Sequence, residues 1–503
     1  MMTVYPETAA PPPRTLWRIL RATAEEFRHA AAIDDEESML DYAGLLRSVG
    51  EAAERLVARG VGAGDRVGIR VSSGSAALYV SILAVLSVGA AYVPVDVDDP
   101  DERAGLVWSS AGVCAVITDE GTTAGTVPPA GHGPRRPEPD DDAWIIFTSG
   151  TTGAPKGVAV THRSAAAFVD AEAGLFLRDD PLRPGDRVMA GLSVAFDASC
   201  EEMWLAWRHG ACLVPAHRSV VKSGPELAPW LVRRRISVVS TVPTLASLWP
   251  AESLPGVRLL ILGGEACPSG LADRLTEPVP GDRVREVWNT YGPTEGTVVS
   301  CAARLSRGQP VHIGLPLAGW RLAVVDSEGR PAGRGQTGEL IIGGVGVARY
   351  LDPEKDAAGF RPVAALGPER VYHTGDLVRA EPEGLVFVGR ADAQVKIRGY
   401  RVELSEIENV LMRLPGIRMA AVTTCEPRPG LRELAGYYSL DDPGPGHTGP
   451  GHAGPAPDRQ AVREHLRTRL PRHMVPAFLE ELPEIPMLPS GKADRKSLPE
   501  PSA

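Results

Sequence analysis

Short apolar runs alternate with segments of helical periodicity through the first half of the chain, and this rhythm constrains the fold more than any other feature. Residues 14–30 and 41–59 carry apolar side chains at helical spacing. The apolar runs lie at 67–71, 113–117, 144–147, 213–215, 236–241 and 257–262. Such alternation is typical of parallel sheets covered by helices, so we predict an α/β fold.

Other parts of the chain depart from this rhythm. Residues 311–351 carry short strand-like runs and glycine turns, which predict a smaller β-rich subdomain. Residues 119–142 and 441–458 are predicted loops, and the second is of such low complexity that it cannot bury a core. A chain of 503 residues is expected to form two or more domains.

The composition narrows the class of protein. A net charge of −10 argues against a nucleic-acid partner. Six scattered cysteines without a C-x-x-C pair argue against a disulfide framework and a zinc site, and they favour a cytoplasmic location. We find no signal-peptide pattern at the start and no run of membrane-spanning length.

A loop rich in glycine and hydroxyl groups follows the apolar run at 144–147, and it reads TSGTTGAPKG over 148–157. Glycines let backbone N–H groups approach an anion, hydroxyls add donors and a lysine adds charge. We interpret it as a polyphosphate cradle formed by Thr148, Ser149, Gly150, Thr151, Thr152, Gly153 and Lys156. It is not the G-x-x-x-x-G-K-[ST] pattern, because no Gly-Lys-Ser/Thr follows at the required spacing.

Further motifs follow in order: NTYGPTE at 289–295, YHTGDL at 372–377, GRADAQVKIRG at 389–399 and PSGKADRK at 489–496. Together with the loop they resemble the adenylate-forming enzymes, which include acyl-CoA synthetases, luciferases and the adenylation domains of nonribosomal peptide synthetases. The resemblance implies a large N-terminal core over 1–391, made of helix-covered sheets with a β-rich subdomain. It also implies a small mobile α+β lid over 392–503 that turns about a hinge at Asp392.

The resemblance also implies a site for ATP and Mg²⁺. Adenylation joins a carboxylate to the α-phosphate and expels pyrophosphate, so cations and fixed donors must surround the phosphates. Glu295 matches the family carboxylate associated with Mg²⁺, which needs hard oxygen ligands. Asp376 matches the carboxylate that accepts from the ribose hydroxyls. The expected nucleotide-binding residues outside the loop are Asn289, Tyr291, Gly292, Thr294, Asp376 and Arg390.

Two lysines match the catalytic positions of the mobile lid. Lys492 matches the lysine that reaches both the substrate carboxylate and the α-phosphate during adenylation. Lys396 and the residues after it match the face that the lid presents when a thiol acceptor arrives. A movable cation of this kind lets the site close for one step and reopen for the next.

The resemblance also indicates the substrate. In the peptide synthetases, an aspartate at the position of Asp197 binds the α-ammonium group of the amino acid. Glu201 departs from the family pattern, because many relatives have a Trp at this position. A carboxylate in a small apolar pocket is costly unless a cation pairs with it, so the substrate is expected to carry one. The pocket positions carried over are Asp197, Ala198, Glu201, Ser240, Ile261, Gly263, Thr290, Val298, Val299 and Lys492.

Gly263 leaves room for a long aliphatic stem. The combination of pocket residues resembles the one that selects lysine in this family. Ornithine, diaminobutyrate and β-lysine remain open, since one methylene is worth only roughly 1–3 kcal/mol of discrimination.

The expected function is activation of L-lysine, or a close dibasic amino acid, for transfer to a phosphopantetheine thiol on a carrier domain. A small accessory activator protein is a further expected partner. The chain is similar to the adenylation part of the ε-poly-L-lysine synthetases, so it is either a portion of such an enzyme or a stand-alone activator. An acyl-CoA ligase is the alternative within the family, disfavoured by Asp197, and a catalytically silent binding module is the alternative outside it.

Overall fold

The computed structural model describes residues 4–5, 8–149, 155–249, 254–278, 284–381, 383–391, 394–428, 431–440, 457–487 and 493–501. The chain divides into two compact units. The first unit comprises Met1–Asp96, Trp108–Phe147 and Gly157–Ala391. The second unit comprises Val97–Val107, Thr148–Lys156 and Asp392–Ala503.

A nine-stranded sheet of the described residues dominates the first unit. Its central strands are parallel, and both edges are closed by antiparallel strands. In spatial order the strands are β16 (Leu315–Pro316), β15 (Cys301–Arg304), β14 (Glu286–Tyr291), β13 (Leu259–Leu262), β12 (Val238–Thr241), β10 (Arg187–Ala190), β11 (Cys212–Pro215), β2 (Ala31–Asp34) and β3 (Met39–Asp41).

A second sheet, with seven strands in the described part of the chain, is also parallel at its centre. Its order is β19 (Arg349–Tyr350), β9 (Lys156–Thr161), β8 (Asp142–Thr148), β5 (Ala91–Pro94), β4 (Arg66–Arg70), β6 (Ala115–Thr118) and β7 (Gly121–Ala124). Most residues of β5, β8 and β9 are buried, as expected for strands covered on both faces.

The predicted β-rich region forms an antiparallel sheet that extends well beyond residue 351. Its order is β1 (Val4–Tyr5), β17 (Trp320–Val325), β18 (Thr337–Gly344), β20 (Tyr372–Glu381) and β21 (Gly384–Arg390). Side chains of β20 alternate between buried and half-buried, which is the pattern of a sheet with one covered face.

Helices connect the strands. They are α1 (Leu16–Glu26), α2 (Tyr42–Val57), α3 (Ala76–Ser87), α4 (Asp101–Ala111), α5 (His162–Ala173), α6 (Ser199–Arg208), α7 (Arg218–Lys222), α8 (Gly224–Arg234), α9 (Pro243–Ser247), α10 (Ser269–Leu275) and α11 (Pro353–Gly359). Short 3-10 helices span Thr294–Gly296 and Ala364–Leu366. Side-chain caps define several helix starts: the Thr161 hydroxyl, for example, accepts from the Ser164 N–H at the start of α5.

After residue 391 the second unit contains a two-stranded ribbon and a three-stranded sheet among its described residues. The ribbon pairs β22 (Val395–Ile397) with β23 (Tyr400–Val402). The sheet has the order β24 (Ile417–Arg428), β25 (Leu431–Leu440) and β26 (Phe478–Glu481). Helices α12 (Leu404–Met412) and α13 (Arg459–Arg467) and a 3-10 helix at Arg472–Met474 complete this part.

The α/β prediction is confirmed, and one local prediction is wrong. The predicted loop at 119–142 contains β7, which pairs antiparallel with β6. Its side chains are exposed or half-buried, so the strand exists through backbone pairing and left no apolar signal in the sequence. The predicted loop at 441–458 lies outside the described residues except for its last two positions. None of the described helices has the length and apolarity needed to cross a membrane.

Candidate active site

Three predicted pocket residues lie on adjacent parallel strands of the nine-stranded sheet. Ser240 is on β12, Ile261 on β13 and Thr290 on β14, and all three are buried. Ser240 and Ile261 are register partners, and Leu262 pairs with Asn289. Because these strands are parallel, their carboxyl ends share one edge, which is where ligands bind in open α/β sheets. The fold therefore joins residues that are far apart in the sequence.

The start of α6 carries the predicted acidic pocket residues. Asp197 and Ala198 precede the helix, and Glu201 lies in its first turn. The Asp197 carbonyl accepts from the Cys200 N–H at 2.9 Å, and the Ala198 carbonyl accepts from the Glu201 N–H at 3.1 Å. Carboxylates are favoured at this end of a helix because the peptide dipoles point their positive ends there. Asp197 and Glu201 are 6% and 2% exposed, so the turn carries two acidic side chains into the interior.

The neighbouring residues Glu201 and Glu202 have different surroundings. The Glu202 carboxylate accepts from the backbone N–H groups of Gly191 at 3.0 Å and Leu192 at 3.2 Å. The Oε2 atom of Glu201 accepts from the Ser240 hydroxyl, whereas its Oε1 atom receives no hydrogen bond from any described residue. Glu201 therefore has an acceptor atom to which no described residue donates, while both oxygens of Glu202 accept from the backbone.

A third buried carboxyl group, that of Glu172, was not predicted from the sequence. Glu172 lies on α5, which packs against α6, and its side chain is within hydrogen-bonding reach of Glu201. It is 1% exposed, and no described residue donates to its Oε1 atom. The one signal in the sequence is spacing: Glu172 follows the fully buried Phe168 by four residues, which puts both on one helix face.

The two carboxyl groups perturb each other. Burial raises the pKa of Glu172 well above its usual range, and the neighbouring Glu201 raises it further. Burial also raises the pKa of Glu201, although the adjacent Glu172 carboxyl group and the Ser240 hydroxyl oppose that effect. Asp197 adds to the rise in the Glu201 pKa through like-charge repulsion. Without a cation, this pair favours sharing a proton over carrying two charges.

Glycines let the pocket strands and the following turn approach closely. A Cβ atom on Gly263 would lie 2.6 Å from Thr290 Oγ1, so the Thr290 hydroxyl fills the space beside Gly263 that was expected to hold an aliphatic stem. A Cβ atom on Gly292 would lie 2.2 Å from the Val298 carbonyl oxygen. The motif glycine at 292 is therefore needed by the fold, whatever it contributes to a nucleotide.

The turn after β14 has an unusual backbone at predicted pocket positions. Thr297 and Val298 have φ values of 61° and 63°, in the left-handed region that β-branched residues rarely adopt. The Thr297 hydroxyl donates to the Gly346 carbonyl at 2.7 Å, and the Val299 N–H donates to the Thr297 carbonyl at 2.8 Å. Val298 and Val299 are both buried, so these bonds fix two apolar side chains of the pocket.

Three predicted nucleotide-binding residues contact one another in the first unit. The Tyr291 hydroxyl donates to Asp376 Oδ2, and Arg390 pairs with Asp376 Oδ1. Asp376 on β20 and Arg390 on β21 are register partners. The Thr374 hydroxyl accepts from the Asp376 N–H at 2.9 Å. Burial and the Asp376 carboxylate raise the pKa of Tyr291 well above its usual range, so the phenol stays a donor.

The end of the NTYGPTE motif forms the short helix at Thr294–Gly296, with Thr294 as its first residue. The fully buried Glu295 carboxylate accepts from the Tyr350 hydroxyl through Oε1. One hard carboxylate suits Mg²⁺, which takes one or two carboxylates and completes its shell with water and substrate phosphates. Asn289 donates through Nδ2 to the His312 carbonyl at 2.7 Å, which anchors the motif to the following loop.

Of the seven residues predicted to form the polyphosphate cradle, the structure describes three, all in the second unit. Thr148 ends β8 and is buried, and its hydroxyl has no hydrogen-bond partner among the described residues. The Ser149 hydroxyl donates to the Arg401 carbonyl at 2.6 Å and accepts from the Glu403 N–H at 3.1 Å. Lys156 begins β9. The remaining predicted loop residues, Gly150, Thr151, Thr152 and Gly153, lie outside the described part of the chain.

The predicted lid residues are only partly described. Lys396 is half-buried on β22 and is the register partner of Arg401. Asp392 and Lys492 lie outside the described residues. Their hinge and catalytic roles therefore remain predictions.

Comparison with known proteins agrees with this architecture. The family model "AMP-binding enzyme" matches residues 20–351, and "AMP-binding enzyme C-terminal domain" matches residues 406–492. The chain is similar to the delta-poly-L-ornithine synthetase of Acinetobacter baumannii, with 36% identity over 501 residues that cover 95% of this chain and 36% of the relative. It thus spans about a third of that relative's length.

Two solved structures share the fold over nearly the whole chain. Holo-AB3403, a four-domain nonribosomal peptide synthetase bound to AMP and glycine, has a TM-score of 0.69 and 30% identity over 99% of this chain and 37% of its own. Holo-PA1221, which contains adenylation and PCP domains, has a TM-score of 0.79 and 26% identity over 96% of this chain and 83% of its own. The chain belongs to the AMP-binding enzyme family, as a ligase of the adenylation-domain type found in nonribosomal peptide synthetases.

Proposed function

We propose that this adenylation domain activates a dibasic amino acid, L-lysine or its shorter homologue ornithine, as the aminoacyl-AMP with release of pyrophosphate. The observation that carries the proposal is the buried Glu201 carboxylate, whose Oε1 atom receives no hydrogen bond from a described residue. A buried carboxylate without a cation is costly, and a substrate ammonium group would remove that cost.

Two acidic groups match the two amines of such a substrate. Asp197 would hold the α-ammonium group, and Glu201 would hold the terminal ammonium group. Apolar residues buried in the first unit, Ile261, Val298 and Val299, would contact the aliphatic stem. The similarity to a delta-poly-L-ornithine synthetase supports the dibasic class, and the predicted likeness to ε-poly-L-lysine synthetases remains a prediction.

The nucleotide roles follow the family pattern. Asp376 would accept from the ribose hydroxyls, with Arg390 and Tyr291 orienting its two oxygens. Glu295 would ligate Mg²⁺, which supplies charge neutralisation at the phosphates when bound. The loop with Thr148, Ser149 and Lys156 would hold the β- and γ-phosphates, and Lys492 would stabilise charge at the α-phosphate. A carrier phosphopantetheine thiol would accept the aminoacyl group, as the adenylation–PCP architecture of one structural relative supports.

An ATP–pyrophosphate exchange screen tests the proposal. Lysine, ornithine, diaminobutyrate and β-lysine are compared with norleucine and norvaline, the neutral analogues of lysine and ornithine that lack the terminal amino group. Removing one partner of a buried ion pair costs roughly 2–5 kcal/mol, so we expect Glu201→Gln to lower kcat/KM for the dibasic substrate by at least about 30-fold. It should leave norleucine exchange largely unchanged.

Two results would contradict the proposal. A wild-type enzyme that prefers a neutral amino acid would refute the dibasic substrate class. A Glu201→Gln variant with unchanged selectivity would show that Glu201 does not contact the side chain. Adding free coenzyme A as acceptor to the same reactions distinguishes the acyl-CoA ligase alternative.

A further inference from the structure

The first unit contains a buried carboxyl pair of which the family-based pocket assignment names only one member. Glu201 belongs to that assignment, and Glu172 does not. The two side chains come from different helices, α6 and α5, and are 2% and 1% exposed. A structural role would ordinarily give such groups donors, because buried polar atoms are nearly always hydrogen-bonded.

The donors around this pair are too few for two buried carboxylates. The Ser240 hydroxyl donates a hydrogen bond to Glu201 Oε2, and no described residue donates to Glu201 Oε1 or Glu172 Oε1. No described Lys, Arg or His forms an ion pair with either group, and the other charged neighbours of Glu201 are acids, Asp197 and Glu202. The pair therefore has two hydrogen-bond acceptors without donors, and negative charge, at adjacent buried positions.

The other titratable groups packed around the pair are accounted for. Glu202 on α6 is bound by the backbone N–H groups of the segment after β10. Cys200 on α6 shares a hydrogen bond at 3.3 Å with the Tyr92 hydroxyl on β5, and burial raises the pKa of both groups. None of these groups supplies a positive charge.

We propose that Glu172 and Glu201 together form the subsite for the terminal ammonium of the substrate, and that the proton they share leaves as the ammonium enters. This inference rests on the proposed function, because it needs a dibasic substrate. The ammonium has three N–H donors, which match one oxygen from each glutamate and the Ser240 hydroxyl. The displaced proton passes to solvent, so no other reactant is needed.

The subsite also explains how an acidic pocket can stay folded before substrate arrives. One shared proton removes half of the negative charge and supplies the donor that the chain does not provide. When the ammonium binds, it provides both charge and donors, and the proton is no longer required. Glu172 is in this sense a specificity-determining residue that acts through direct contact with the substrate.

Isothermal titration calorimetry of the adenylation domain tests the proposal directly. The better dibasic substrate from the exchange screen is titrated at pH 7 in buffers of different ionisation enthalpy. We expect release of up to one proton per substrate bound by the wild type. Glu172→Gln should abolish this release and should raise the Kd for the dibasic substrate by roughly 30-fold or more.

Asp170→Asn is the matched control on the same helix. The Asp170 carboxylate is held by Arg14 and by Arg208 Nε at 2.9 Å, so its loss should leave proton release and selectivity unchanged. Glu172→Asp should recover part of the preference for the dibasic substrate over its neutral analogue. A variant that only misfolds would lose exchange with both substrates equally, and the substrate ratio separates that outcome from loss of a contact.

The outcomes distinguish this inference from the proposed function. If the wild type activates dibasic amino acids but Glu172→Gln keeps the same substrate ratio and proton release, the subsite is wrong and the function stands. If the wild type releases no proton while binding its dibasic substrate, the shared proton is wrong. If no dibasic amino acid is activated, the proposed function itself fails.

Discussion

The carboxylates of the proposed nucleotide region and those of the proposed amino-acid pocket differ in the hydrogen-bond donors that the chain supplies to them. Asp376 has a tyrosine hydroxyl on one oxygen and an arginine on the other, and Glu295 has a tyrosine hydroxyl. Glu172 and Glu201 are as deeply buried as these two acids, yet each has an oxygen to which no described residue donates a hydrogen bond. The chain thus supplies a partner for each oxygen of Asp376, whereas we propose that a ligand supplies the missing partners of Glu172 and Glu201.

The comparison predicts the largest effect at Asp376. Asp376→Ala leaves the guanidinium of Arg390 without its carboxylate, which costs roughly 2–5 kcal/mol for a buried pair. We expect pyrophosphate exchange to fall by about 30-fold to several thousand-fold with every amino acid, because the proposed ATP site is common to all of them. Exchange rates at saturating ATP and amino acid measure this effect. A loss confined to dibasic substrates would break the separation of the two regions.

A smaller effect is expected at Tyr350. Tyr350→Phe removes the hydroxyl that holds Glu295, and a hydrogen bond to a charged group contributes roughly 1.5–3 kcal/mol. We expect about a tenfold rise in the Mg²⁺ concentration needed for half-maximal exchange. Tyr42→Phe is the control, since it removes a buried hydroxyl that donates to the Ala211 carbonyl at 2.8 Å. Equal Mg²⁺ dependence in both variants would argue against Glu295 as a ligand.

The smallest effect concerns stability without substrate. Because the folded pKa of Glu172 is raised, its contribution to stability is fully present below the unfolded pKa, about 4.3, and is lost as the pH rises towards the folded value. Glu172→Gln should therefore raise the free energy of unfolding by about 1–3 kcal/mol at pH 8 and by less at pH 4.5. Denaturant unfolding at the two pH values measures the difference. A destabilised variant at pH 8 would mean that the contact between Glu172 and Glu201 stabilises the fold by more than the burial of Glu172 costs.

The sequence predicted the fold class because apolar periodicity and ordered motifs are local properties. It also selected Asp197, Glu201 and Ser240, which the structure places on neighbouring elements of the first unit. It could not find Glu172, because membership of the pair depends on how α5 packs on α6, and that is set by tertiary contacts. It missed β7 for a related reason, since an exposed edge strand forms through backbone hydrogen bonds alone.

The turn at Thr297 and Val298 has a consequence for engineering this enzyme. A β-branched residue held at positive φ stores roughly 1–3 kcal/mol, and here the neighbouring hydrogen bonds hold it in place. Replacing Val298 with glycine or asparagine would relax the backbone and would remove or polarise a buried apolar side chain at a predicted pocket position. Libraries that diversify this position would thus change fold stability together with a proposed substrate contact, and thermal melting must be recorded beside activity to tell the two effects apart.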